Sequence, residues 1–147
     1  MKYSGIGIIL LVFVQFIFWS SSQEINSSKP QGPQDFEELL IKAQMQKSLI
    51  VLYATANQCY SCEKIFSELE GDPKLDRFLK ANFLSYEVNI QESPSASYLV
   101  ERYKLHEVPA IIFMDEHGHV IAKLLGIHKT GEIHRFAKKI LKKHSKE

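Results

Sequence analysis

The sequence has little of what would staple a small scaffold or fix it to a polyanion. Two cysteines stand among 147 residues, too few for a disulfide framework, so an apolar core must hold the fold. Neither charge is in excess, with Lys and Arg at 18 against Asp and Glu at 17. That balance argues against a general nucleic-acid binder, which needs a basic surface. Internal repeats are absent. Long hydrophobic runs are scarce too. The longest, Gly5 to Trp19, spans about 15 residues broken by Gln15, short of the roughly 20 that cross a bilayer.

What surrounds that run gives it a meaning. Met1-Lys2-Tyr3 is a short basic end, and Ser20-Ser21-Ser22 supplies small residues behind it. The pattern is that of a signal peptide at residues 1–22, cleaved after Ser22. The alternative is an uncleaved membrane anchor with the serines at the interface. No Cys follows to take a lipid. Export, periplasmic or secreted, is the expected localisation, with residues 5–19 as a tether if cleavage fails. Cleavage leaves about 125 residues, enough for one core. It also removes Lys2 and so equalises the charges.

Residues 23–34 are polar, with Pro30, Gly32 and Pro33 and no periodicity, and read as a flexible linker. Asn26-Ser27-Ser28 matches a glycosylation acceptor, relevant only in a eukaryotic host. Residues 35–147 form the expected domain. Phe36, Leu39, Leu40 and Ala43 recur at helical spacing, predicting a helix over 35–46. Leu49 to Ala54 is a short apolar run, as in a strand covered on both faces. A helix follows from Cys59 to Leu69, then a second one capped by Asp72 and started by Pro73. Phe83 to Ile90 alternates as a strand, and 95–103 is a short helix. Ala110 to Met114 and His119 to Leu125 form a hairpin around Asp115-Glu116-His117-Gly118. Thr130 is placed to cap a last helix over 131–143, whose lysine pairs form a solvated face suited to the negative end of its dipole. Right-handed crossovers make the first two strands parallel, and the hairpin adds an antiparallel pair.

Cys59-Tyr60-Ser61-Cys62 follows the buried strand and opens a helix. The first cysteine then meets the unpaired N–H groups of a helix start, which favour a thiolate below the roughly 8.5 of a free thiol. The second lies one turn further in, more buried and within bridging reach. A structural disulfide or an idle pair is the competing reading. Closing so short a loop removes little unfolded-state entropy, so as a staple it is poor. A zinc site lacks a second cysteine pair, and His117 and His119 read as solvated turn residues. No metal is assigned.

LIVLYATANQCYSC resembles the strand, loop and active-site helix of thioredoxins. YKLHEVPAIIFMDEHGHVIAKLLG resembles their later segment, from a helix end through a Val-Pro bend into the terminal hairpin. The likeness spans residues 35 to 143, and its nearest flavour is the exported bacterial thioredoxin-like domains. In those a helical insert follows the active-site helix, matched here by FSELEGDPKLDRFLKANF. The resemblance implies an α/β fold, a three-layer sandwich with a four-stranded mixed sheet and helices on both faces. It implies Cys59 as attacking thiol, Cys62 as resolving thiol and Pro109 as a cis-proline facing the pair. Tyr60, Ser61, Val108 and Pro109 would contact substrate, the Val108 backbone pairing with an extended client segment.

The departures from that family are specific. Tyr53 stands where thioredoxins carry a buried Asp, Gln58 replaces their Trp, and Tyr60-Ser61 replaces Gly-Pro. Glu87 falls where they have a Lys on the next strand. Glu87 is therefore the candidate substitute for the missing acid–base group, with a solvent-facing carboxylate as the competing reading. The leading function is a thiol–disulfide oxidoreductase acting on protein thiols or disulfides outside the cytoplasm. It needs no dissociable cofactor but does need an electron partner, in a periplasm a membrane-embedded one. The rivals are a client-binding module without turnover and a metal-handling protein using the paired thiols. Tyr60-Ser61 carries no charge that would set the direction of exchange.

Overall fold

The strand Leu49–Thr55 (β1) is apolar in both of its alternating sets, and the architecture follows from that. In a computed structural model, which describes residues 33–92 and 94–145, β1 lies inside the sheet. The export segment, the glycosylation acceptor and the linker up to residue 32 lie outside the described residues. The other elements are helices α1 (Pro33–Gln46), α2 (Tyr60–Glu70), α3 (Pro73–Asn82), α4 (Pro94–Tyr103) and α5 (Thr130–His144). Strands β2 (Phe83–Asn89), β3 (Ala110–Met114) and β4 (Val120–Leu125) complete the sheet in the order β2-β1-β3-β4. β1 pairs parallel with β2, Leu49 opposite Phe83 and Thr55 opposite Asn89. It pairs antiparallel with β3, Ala54 opposite Ala110, and β3 turns back into β4. The expected mixed four-stranded sheet, covered by helices on both faces, is present.

Period-two alternation sorts the core into two layers. Ile50, Leu52 and Ala54 of β1 pack with Phe36 and Leu40 of α1 and Leu99 of α4. Leu49 and Val51 point the other way, onto Ile65 of α2, Leu75 of α3 and Ile133 of α5. Each fully buried Ile, Leu or Phe contributes roughly 1.5–3 kcal/mol. These layers, not the two sulfurs, carry the stability.

Local signals set most of the boundaries. Asp72 caps α3, its Oδ1 accepting from the backbone N–H groups of Lys74 and Leu75 at 3.1 Å each. The hydrogen bond from Leu75 is the main reason its carboxyl stays below the usual value. Leu75 and Leu79 are buried, while Phe78 is half-buried at the rim of the same layer. Three expectations shift. α1 begins at Pro33 rather than near Asp35, because proline suits a first helical turn. β4 begins at Val120, since His119 is held in the turn. Thr130 does not cap α5. Lys129 occupies the cap position, and Thr130 is the first helical residue, its hydroxyl bonded to Asp72 of the α3 cap. Glu132 accepts from the Lys129 backbone N–H at 3.3 Å instead.

The β3–β4 turn is fixed from inside. Asp115 Oδ1 accepts from the N–H groups of His117 at 2.9 Å and His119 at 2.8 Å. Burial pulls the Asp115 pKa up, but the hydrogen bonds from His119 and His117 outweigh it and hold the carboxyl below its ordinary value. Gly118 adopts φ +78° and receives the Tyr103 hydroxyl on its carbonyl at 3.2 Å. Burial pushes that phenol up to about 12, so it stays a donor.

A Cβ on Gly118 would lie 2.9 Å from Leu40 Cδ2 and 3.0 Å from the Tyr103 hydroxyl. Gly118→Ala is expected to cost about 2 kcal/mol from positive-φ strain and overpacking, read by urea denaturation. Asp115 stabilises above the pKa of its unfolded carboxyl, and this is lost as pH falls through the lower folded value. The Tm gap between wild type and Asp115→Asn should therefore be widest near neutrality and close on acidification.

Candidate redox site

β1 ends at Thr55, and the chain leaves the sheet through Ala56, Asn57 and Gln58 before α2 begins. This loop is tied across to the end of β2. Ile90 N–H donates to the Thr55 carbonyl at 2.9 Å, and Asn57 N–H donates to Gln91 Oε1 at 3.0 Å. Asn89 Nδ2 donates to Asn57 Oδ1 at 2.8 Å, while Asn89 Oδ1 accepts from Gln91 N–H at 3.1 Å. Gln58 sits in the left-handed region at φ +55°. A non-glycine residue there costs of order 1 kcal/mol, which this network helps to hold.

That geometry delivers Cys59 to the N-cap of α2. Its carbonyl accepts from Cys62 N–H at 2.9 Å and Glu63 N–H at 3.1 Å, and its Sγ accepts from Cys62 N–H at 3.2 Å. The two sulfurs are bonded at 2.08 Å, with the Cα atoms 5.2 Å apart. Cys59 is half-buried and Cys62 only 3 % exposed, so the outer sulfur is the one a partner can reach. The helix-start N–H groups and dipole favour negative charge on it when the bond opens.

Tyr53 belongs to the β1 set that faces α2, and its ring packs edge-on against Phe66 at 5.7 Å. Burial, then the nearby Asp76 carboxylate, raises its pKa far above the tyrosine range. It therefore stays protonated and cannot accept the Cys62 proton. Glu87 is the direct register partner of Tyr53 on β2 and is half-buried. Both line one cavity of about 600 Å³ with Cys59 and Cys62. The structure thus brings Cys59, Cys62 and Glu87 to one space.

Tyr60 projects outward, 78 % exposed, and Ser61 beside it is half-buried. Val108-Pro109 is a cis peptide bond just before β3. Since Ala110 pairs with Ala54, this bond falls at the end of the sheet where β1 gives way to the cysteine loop. Val108 and Pro109 do not line the cavity. His119 is held by Asp115 at 2.9 Å, and among the described residues no group of His, Cys, Asp or Glu is arranged to hold a metal ion.

Sequence reasoning missed the cavity and the loop network. A signal for the first existed. Exposed Ser85 and half-buried Glu87 continue the β2 face on which Phe83 is buried, two polar side chains in what would otherwise be an apolar row. The Asn57–Asn89–Gln91 network left no such trace, because polar residues near a strand end are ordinary.

A four-stranded sheet with a bonded cysteine pair at the start of a covering helix defines a protein of the thioredoxin-fold class. Residues 36–141 match the model of the thioredoxin-like domain family, and the chain belongs to that family. Solved structures agree on the fold. A thioredoxin from Thermus thermophilus superposes with TM-score 0.63 at 21 % identity, over 78 % of this chain and 88 % of that one. The oxidised C-terminal domain of DsbD from Neisseria meningitidis gives 0.64 at 15 % identity, over 76 % and 98 %. Thioredoxin O2 from Arabidopsis thaliana, also oxidised, gives 0.59 at 22 %, over 77 % and 94 %. No curated protein sequence matches this chain.

Asn89→Ala removes two of the hydrogen bonds that hold the cysteine loop. At about 1 kcal/mol each, their loss should speed hydrogen exchange of the Asn57 amide by about tenfold. The core amides of β1 should exchange as before.

Proposed function

We propose that this protein is a thiol–disulfide oxidoreductase that exchanges disulfides with exported proteins through Cys59 and Cys62. The observation that carries the reading is the bonded pair at the N-terminus of α2, its outer sulfur half-exposed and its inner one buried. In the reducing direction the Cys59 thiolate attacks a client disulfide and forms a mixed disulfide. Cys62, losing its proton, then attacks Cys59 Sγ, releases the client thiolate and restores the internal bond. The oxidising direction is the reverse.

Glu87 is the proposed proton acceptor for Cys62. It shares the cavity with both sulfurs, and Tyr53, at the position of the family's acid, holds its proton too tightly to serve. Tyr60 and Ser61 lie between the two cysteines on the outer side, and the cis bond at Pro109 presents the Val108 backbone, on which an extended client would pair. The basic, apolar and small-residue pattern of residues 1–22 supports export, with a membrane tether if it is retained. A domain outside the cytoplasm is cut off from cytosolic reductants, so its electron partner is proposed to sit in the membrane.

Insulin reduction by dithiothreitol tests the reading. Wild type should accelerate precipitation, and Cys59→Ser should return it to background. Equal background rates for both would replace enzyme with client-binding module. Glu87→Gln should slow the step in which Cys62 gives up its proton, with the rate of client disulfide reduction falling while the fold is kept. An unchanged rate would take Glu87 out of the mechanism.

A further inference from the structure

The cavity beside the disulfide has a charge that protein disulfide exchange does not require. About 600 Å³ in volume, it falls in the range of small-molecule sites. Cys59 and Cys62 lie in its wall, and Tyr53, Phe66, Leu69 and Leu79 give it apolar surface. The charged side chains in that wall are Glu63, Glu70, Asp76 and Glu87 against Lys80 alone. Asp76 already engages Lys80 at 2.9 Å. The chain as a whole carries a formal charge of +1, so the negative bias belongs to this cavity rather than to the protein at large.

Its wall takes residues from the face of β1 and from β2, the edge strand of the sheet. Size, charge and the two sulfurs are the features it offers a small occupant. We propose that the cavity binds a low-molecular-weight aminothiol, a short thiol bearing an ammonium group, and its disulfide. The apolar wall takes the short carbon chain, the carboxylates attract the ammonium, and the thiol is held beside Cys59. The proposal rests on the oxidoreductase reading and assigns a small-molecule exchange partner to the same sulfur pair.

The exchange balances without any further oxidant. The aminothiolate attacks Cys59 Sγ, the Cys59–Cys62 bond breaks, and its electron pair leaves on Cys62 Sγ, which takes up a proton. A second aminothiolate attacks the small-molecule sulfur of the mixed disulfide and releases Cys59 as a thiolate. Two thiols become one disulfide, and the protein disulfide becomes two thiols. The two protons given up by the small thiols end on the cysteines.

The test is the rate at which oxidised full-length protein is reduced, followed by thiol trapping. Cysteamine (cationic), 2-mercaptoethanol (neutral) and mercaptoacetate (anionic) are compared at equal thiolate concentration, each corrected for its intrinsic nucleophilicity. At low ionic strength the corrected rates should fall from cysteamine to mercaptoacetate over about tenfold, and 1 M salt should collapse the spread. The doubly substituted Glu70→Gln/Asp76→Asn protein should show a narrower spread, whereas a merely structural role for these carboxylates would not depend on the charge of the thiol. Equal rates for the three thiols, or a spread that the double substitution leaves intact, would overturn the site while insulin reduction continued. Failure of all three thiols together with absent insulin reduction would overturn the oxidoreductase reading beneath it.

Discussion

Apart from half-buried Tyr53, every residue of β1 is buried, and the molecule is organised around that constraint. A buried amide left unpaired costs of order 1–3 kcal/mol, so both edges of the strand must be matched along their length. β2 supplies one edge in parallel and β3 the other in antiparallel register. Parallel pairing forces a crossover, and α2 with α3 provides it. The same pairing brings the end of β1, the end of β2 and the start of β3 to one side of the sheet. The cysteine loop, Asn89 and the Val108-Pro109 bond meet there for that reason.

The inequality of the two sulfurs comes from the same arrangement. α2 must lay its apolar residues on the sheet, and Cys62 lies on that buried side with Ile65 and Leu69. Cys59 sits one turn earlier, at the cap, where no residue precedes it in the helix to cover it. A nucleophile needs access and a resolving thiol needs shelter, and one helix turn separates the two environments. The dipole and free N–H groups act on the outer sulfur most strongly because their influence fades within the first turn.

What sits behind the pair sets this chain's site apart from the family pattern. Tyr53 fills the position of a carboxylate with a ring that packs on Phe66 and keeps its proton. Its register partner one strand outward is a carboxylate, Glu87. The edge strand carries Ser85 and Glu87 on the face where Phe83 is buried, and space opens there beside α2 and α3. The negative charge around that space is contributed by residues far apart in the chain, from Glu63 to Glu87, that only the crossover brings together.

Much of this was legible in the residues. The strands of the core declared themselves by apolar runs too short for helices, and the cap at Asp72 and the turn at Gly118 by side-chain chemistry that acts over a few positions. The cysteine spacing after a buried strand and at a helix start pointed to exchange chemistry without any coordinate. Thr130 failed as a cap because a partner from the α3 cap, distant in sequence, claimed its hydroxyl. The pairing of Asn57 with Asn89 and Gln91 and the register of Tyr53 against Glu87 lay equally beyond reach. The sequence by itself determined the elements, the alternation and the position of the sulfurs, because those follow from contacts within one turn or one strand. The tertiary structure alone decided the cavity, its charge and the hold on the loop, because each arises where the paired ends of separate strands converge.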